Sequence, residues 1–263
     1  MSGAAKLGNY KAVNRLGWTR LARQRCDSCE PYGKEELAQS RDWLDPEHWI
    51  DWTGVQSVLC LASGGGQQAP MFASLNCRVV SADLCPEQLK RDRQAARRHG
   101  YEIECVEADM LDLSALHGRE FDLVYQSVSA CYVPDVRRLY TEVFRVLKPG
   151  GYYRVEHWNP VNMQLDLTWT GRGYELVRRS GSVHVWRGAD GNGKGHTECW
   201  HYIHSLTDLL GGLCDAGFRI LHFNERTLYE EGAEPGSKAH AYSFAPPFFS
   251  LYARKNGELN YTG

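Results

Sequence analysis

Val58-Leu59-Cys60-Leu61-Ala62-Ser63-Gly64-Gly65-Gly66 is an apolar run that stops at three consecutive glycines. A short apolar run closed by glycine reads as a buried strand, here Val55–Leu61, and Gln67–Leu75 behind it reads as a helix. Glycine is needed where backbone turns tightly and approaches a ligand closely, and a helix N-terminus beyond it offers unpaired N–H groups. The alternation continues downstream. Arg78–Ala82 is a second strand ended by Asp83, and Pro86–His99 a charged amphipathic helix with proline in its first turn and Gly100 past its end. Ile103–Glu107 and Phe121–Tyr125 are the third and fourth strands. Asp135–Leu147 is a helix with Val136, Leu139, Tyr140, Val143, Phe144 and Leu147 on one apolar face. Pro149-Gly150-Gly151 stops it, and Tyr152–Glu156 is the fifth strand.

The predicted class is α/β, a Rossmann-like doubly wound sheet, mostly parallel and covered on both faces. Ligands of such sheets sit beyond the carboxyl ends of the strands, which singles out Ala62–Gly66, Asp83, Asp109, Gln126–Ser129 and His157–Asn159. Residues 1–54, with helical stretches at Asn14–Gln24 and Lys34–Leu44, form an N-terminal helical cap or lid, and residues 55–263 the ligand domain. An insertion over 158–205, rich in tryptophan and with a glycine-rich turn at Gly188–Gly195, is expected to hold strands or a hairpin after strand five. Leu206–Ala216 is a further helix, and Phe218–Phe223 and Phe248–Ala253 close the sheet as an antiparallel hairpin.

A chain of 263 residues, 43% hydrophobic and 24% charged, is long enough for one well-buried domain. A formal charge of -2 supplies no global field toward nucleic acid or an anionic membrane. The basic run Lys90, Arg91, Arg93, Arg97, Arg98 reads as a solvated helix face. With no long apolar run and no apolar leader, the expected location is the cytoplasm, with no membrane partner. Nine scattered cysteines suit reduced thiols better than disulfides. Cys26 and Cys29 are spaced C-x-x-C, and Cys199, His201 and His204 would complete four ligands, but a second close cysteine pair is missing and no metal is expected.

Asp83 ends the second strand, where a carboxylate accepts both hydrogens of a ribose diol. Asp109 ends the third, where it accepts from an adenine amino group with Met110 and Leu84 against the ring faces. Either acid alone is also a turn or helix cap; together they make an adenosine site. NAD is a rival, because Gly64-x-Gly66-x-x-Ala69 meets the loose dinucleotide pattern.

The ordered runs VLCLASGGGQ, VVSADLCPEQL, VEADM, FDLVYQSVS and VLKPGGYYRVEHW, over about residues 55–157, resemble the motifs of class I S-adenosylmethionine (SAM)-dependent methyltransferases, in the broad ubiquinone/menaquinone-methyltransferase-like (type 11) group. The closing AGFRILHF and PPFFSLYARK are similar to that group's terminal hairpin, and the Leu-Lys-Pro-Gly-Gly signature is its most specific piece. The resemblance implies SAM as cofactor. It puts Ala62, Ser63, Gly64 and Gly66 on the methionine part, Asp83 on the ribose, Asp109 and Met110 on the adenine, and Gln126 beneath the sulfonium. The chain departs from the pattern at Cys60, where the group usually has an acid, and at Ala62, where it usually has glycine.

Methyl transfer from a sulfonium is an in-line displacement that needs alignment and exclusion of water, and a base only when the nucleophile carries a proton. His157, after strand five, is the candidate base, with Tyr132 and His201 as further candidates. Trp18, Tyr32, Trp158 and Trp200 are candidates for an aromatic wall suited to a ring or a cation. The expected substrate is a small molecule methylated on O, N, C or S. Protein or RNA methylation and an NAD-dependent oxidoreductase are the rival readings.

Overall fold

A computed structural model of the chain describes residues 9–24, 26, 29–189 and 196–256. Its elements run α1 (Tyr10–Arg23), α2 (Lys34–Ala38), α3 (Ser40–Leu44), β1 (Ser57–Leu61), α4 (Gln68–Ser74), β2 (Arg78–Asp83), α5 (Pro86–His99), β3 (Ile103–Glu107), β4 (Phe121–Gln126), α6 (Val136–Val146) and β5 (Leu147–Trp158). There follow α7 (Pro160–Gln164), β6 (Val183–Ala189), β7 (His196–Tyr202), a π-helical turn (Thr207–Gly211), α8 (Gly212–Asp215), β8 (Phe218–Arg226), α9 (Lys238–Phe244) and β9 (Phe248–Lys255).

Seven strands form one sheet in the order β3-β2-β1-β4-β5-β9-β8, parallel from β3 to β5 and antiparallel at β9 and β8. β1 is buried along its whole length, as a central strand covered on both faces must be. Its side chains alternate: Leu59 and Leu61 join the core under α6 with Tyr140, Val143 and Tyr153, while Val58 and Cys60 join the opposite core with Met71, Phe72 and Leu44. The order reverses beside β1, between β2 and β4, so the crevice over their carboxyl ends is the natural ligand site.

The predicted elements recur with informative differences. The first helix begins earlier, at Tyr10, and the second stretch is two short helices broken at Gln39. α6 ends at Val146, before the Pro-Gly-Gly, which lies inside β5. There Lys148–Gly151 bulge out between the pairs Phe121–Leu147 and Leu123–Tyr152. A Cβ on Gly151 would sit 3.1 Å from the Phe121 and Asp122 carbonyl oxygens, so close strand approach selects glycine. Leu206–Ala216 is not one regular helix; Tyr140 Oη donates to the Leu209 carbonyl (3.0 Å) within its π turn. Two short helices escaped periodicity: α7, capped by Asn159, and α9, capped by Ser237 inside the long β8–β9 connection.

The insertion folds as the β6–β7 hairpin, a separate two-stranded sheet; most of the glycine-rich turn, residues 190–195, lies outside the described residues. α1 packs along β7. Asn14 exchanges bonds with the Trp200 backbone (2.7 and 3.2 Å) and donates to the Tyr132 carbonyl (2.8 Å). Gly17 lies so close that a Cβ would fall 2.4 Å from the Glu198 carbonyl oxygen. Cap and insertion therefore make one roof. The expectation of uniformly reduced cysteines is corrected at one place: Cys26 and Cys29 are disulfide-bonded, with Asp27 and Ser28 between them outside the described residues. Their separation of three residues keeps the Cα atoms 5.2 Å apart, within disulfide reach. The other seven cysteines are free. Among the described residues no three His, Cys, Asp or Glu side chains converge as a metal site, and no helix is long and apolar enough to cross a membrane.

Candidate active site

The chain turns at the end of β1 with positive φ at Ala62 (48°), Gly64 (76°), Gly65 (94°) and Gly66 (92°). The glycines are demanded twice over, by φ and by space. A Cβ on Gly65 would meet the Gln88 Oε1 at 2.5 Å, and one on Gly66 the Pro31 Cβ at 2.9 Å. Ala62 adopts the left-handed conformation without being glycine, a strained choice.

Asp92, on α5, holds this loop. It is fully buried and accepts from Gly66 N (2.6 Å), Ser81 Oγ (2.6 Å) and Ser63 Oγ (3.2 Å). Burial raises its pKa to about 6 against those three bonds. Burial, and then the nearby Asp92 carboxylate, push the Cys60 thiol well up. The acid expected by resemblance on β1 at Cys60 is thus supplied from a helix. Nothing in the strand pattern pointed to Asp92; the only signal was a charged residue among the apolar-facing positions of α5.

A cavity of about 280 Å³ opens over the strand tips. One end is lined by Leu61, Ala62, Gly64, Asp83, Leu84 and Cys85, with Ala108, Asp109 and Met110 beside them. Asp83 accepts from Cys85 N (2.7 Å) and Gly64 N, yet burial first, and then Asp92, raise its pKa to about 7. Asp109 is already engaged by the roof: its Oδ2 accepts from Tyr10 Oη (2.6 Å) and pairs with Lys11 Nζ (2.6 Å), and its Oδ1 accepts from Leu111 N (3.0 Å). Burial and then this bond raise the Tyr10 pKa. Asn14, Arg15 and Trp18 of α1 close the cavity from above. Two buried oxygens on its wall, Gln68 Oε1 and Gln88 Oε1, have no hydrogen-bond partner.

The far end is lined by Ser127, Val128, Ser129, Tyr132, Glu156 and Phe248, with Trp18 edge-on to Tyr132 at 5.4 Å. The other candidates lie elsewhere. Ser63 points to Asp92, and Gly66 packs on Pro31. Gln126 accepts from Tyr153 Oη, donates to Ser129 Oγ and lies 3.6 Å from Met110 Sδ, behind the cavity wall rather than on it. His157 turns to the core under α6, 3.1 Å from Tyr140 Oη and beside Phe249, and burial lowers its pKa to about 3. His201 is buried behind Tyr132, its Nδ1 unpartnered and its pKa lowered by burial to about 4. Tyr32 packs on Trp43, Trp158 bonds Asn162, and Trp200 bonds Glu198, none of them lining the cavity.

Glu156 is the residue sequence reasoning passed over. Strand side chains alternate, and Tyr153, Val155 and His157 share the apolar face, so Glu156 takes the other. The apolar pair ahead of His157 carried that signal.

The methyltransferase-domain family model matches residues 59–155. The chain is 33% identical over 189 residues to the uncharacterized methyltransferase YbaJ of Bacillus subtilis, an alignment covering 68% of this chain and 72% of that one. A SAM-dependent methyltransferase of Mesorhizobium loti superposes with a TM-score of 0.60 at 26% identity, over 83% of this chain and 99% of that one. Geranyl diphosphate C-methyltransferase of Streptomyces coelicolor, solved with S-adenosylhomocysteine, shares the fold at 16% identity and a TM-score of 0.59, over 94% and 98%.

Proposed function

The chain belongs to the SAM-dependent methyltransferases, and from that premise we propose that it binds SAM in the cavity over β1–β4 and methylates a small molecule held beneath the roof. The observation that carries this reading is one continuous cavity with Asp83 and the glycine loop at one end and an aromatic wall at the other.

The residues suit the cofactor. Gln68 Oε1 and Gln88 Oε1 are buried acceptors in want of donors, and an amino-acid ammonium and a ribose diol are donors. A pyrophosphate suits the cavity poorly. Its lining cation, Arg15, is already paired with Glu107 at 2.8 Å, while the Asp83 carboxylate at the glycine loop has no ion pair among the described residues. This favours SAM over NAD.

When bound, SAM supplies a methyl carbon activated by the sulfonium. The chain's part is to hold and to shield. Asp83 accepts the diol, Leu84 and Met110 take the adenine faces, and the backbone of Ala62 and Gly64 borders the amino-acid end. Trp18, Tyr132 and Phe248 exclude water from the acceptor. Catalysis then rests on proximity and alignment rather than on a histidine base. We assign His157 to the scaffold.

The small-molecule reading rests on the aromatic end lying beneath α1, against Asn14 and Trp18, which suits a compact acceptor. Calorimetry tests the cofactor: S-adenosylhomocysteine should bind and NAD should not, and the reverse ranking would refute the assignment. Labelled SAM with a metabolite extract then tests the acceptor class, with label in protein or RNA counting against it.

A further inference from the structure

We propose that Glu156 selects the methyl acceptor, and that the acceptor is a neutral or cationic molecule with an apolar body and a hydroxyl or amino donor, not an anion. The inference rests on the methyl-transfer reading above.

The cavity has four charged lining residues. Asp83 and Asp109 stand at the nucleoside end, and Arg15 is drawn to the same edge by Glu107 on β3. Glu156 alone stands at the aromatic end, on the tip of β5. Its Oε1 accepts from Arg226 Nη1 at 2.7 Å, which fixes the carboxylate plane. The side chain, 17% exposed, stands between the cavity and a small cleft that it shares with Arg154 and Arg226, and no hydrogen bond among the described residues engages its Oε2. Trp18, Tyr132 and Phe248 share that wall. A half-satisfied carboxylate among aromatic faces favours a donor, more so a cationic one, and repels a second anion. No other charged group shares this end: Ser127, Ser129 and Tyr132 bring only neutral hydroxyls, His157 and His201 are buried off the cavity, and Asn14 is consumed in holding the roof. Hydroxyl and amine are the two forms of the same donor chemistry.

The test compares wild type with Glu156→Gln. Both proteins are first titrated with S-adenosylhomocysteine, whose affinity the substitution should leave within about twofold, since Glu156 lies at the far end. With that ligand saturating, 2-phenylethylamine, 2-phenylethanol and 3-phenylpropionate are titrated in turn. In wild type the amine and the alcohol should bind roughly tenfold or more tightly than the carboxylate. In Glu156→Gln the amine and the alcohol should both lose affinity, the amine roughly tenfold, and the carboxylate should gain. A larger loss for the amine marks a cationic acceptor, and equal losses a neutral one. If Glu156→Gln fails to bind S-adenosylhomocysteine, Glu156→Asp carries the test, and must keep the amine-over-carboxylate ranking. Phenylpropionate binding wild type as well as the amine does, an unchanged ranking in Glu156→Gln, or failure of all three probes overturns the proposal. Failure of S-adenosylhomocysteine on wild type instead overturns the cofactor assignment.

Discussion

Replacing Asp83 by Asn removes the charge proposed to grip the ribose while keeping one acceptor oxygen. A hydrogen bond to a charged group contributes about 1.5–3 kcal/mol, so S-adenosylhomocysteine should bind the variant roughly ten- to a hundredfold more weakly at pH 8. The structure adds a pH signature that a merely damaged site would lack. Burial and Asp92 raise the Asp83 pKa to about 7, and the diol needs the ionised form. At pH 8 most of the free protein is ready; at pH 6 about nine in ten molecules carry the proton, so wild-type affinity should fall roughly tenfold across that range. Binding should release a proton near pH 6, visible as a dependence of calorimetric heat on the buffer's ionisation enthalpy. The Asn variant should show neither effect, so the two proteins converge as the pH falls. A wild-type dissociation constant flat from pH 6 to 8, or an Asn variant as tight as wild type at pH 8, would refute this account of the site.

Asp92→Ala strands three buried donors, from Gly66, Ser81 and Ser63, and should destabilise the protein by about 3 kcal/mol or more in urea melts while weakening S-adenosylhomocysteine binding. Ala62→Gly relieves a left-handed alanine and should be neutral to stabilising by up to about 1 kcal/mol in the same melts, the gain limited by glycine's unfolded-state entropy. His157 has a folded pKa near 3, below its unfolded value, so the unfolded chain binds the proton first and stability is lost as pH drops below about 6.5. Between pH 7.5 and 5 wild type should therefore lose about 2 kcal/mol relative to His157→Phe; an equal loss in both would show that His157 is not buried neutral. Gly17→Ala drives a methyl into the Glu198 backbone and should part α1 from the hairpin, read as increased hydrogen exchange in both elements.

Where the sequence carried local chemistry, the fold was legible. Pro86 at the first turn and Gly100 in the left-handed conformation bound α5 at the expected residues, and β3 matches likewise. The boundaries that slipped are those decided by distant neighbours. Pro149-Gly150-Gly151 looks like a helix stop but is a bulge shaped by the β4 backbone. Of the site, the backbone-borne part was legible: Ala62, Gly64, Asp83, Leu84, Asp109 and Met110 line one cavity because each follows a strand. The roof was not, since Asn14 meets Trp200 across a sequence gap that no periodicity spans. Nor was the exchange of His157 for Glu156, where pKa reasoning outweighed the alternation that sets which side chain faces out.

The loop-holding carboxylate arrives from α5 rather than from the first strand, which bears on how such enzymes diverge. A structural requirement for one buried negative group can be met from either of two neighbouring elements, leaving the vacated position free to become an inert thiol. A search that insists on an acid in strand one would pass over proteins built this way. Among relatives, loss of that acid should travel with gain of one on the facing turn of the following helix.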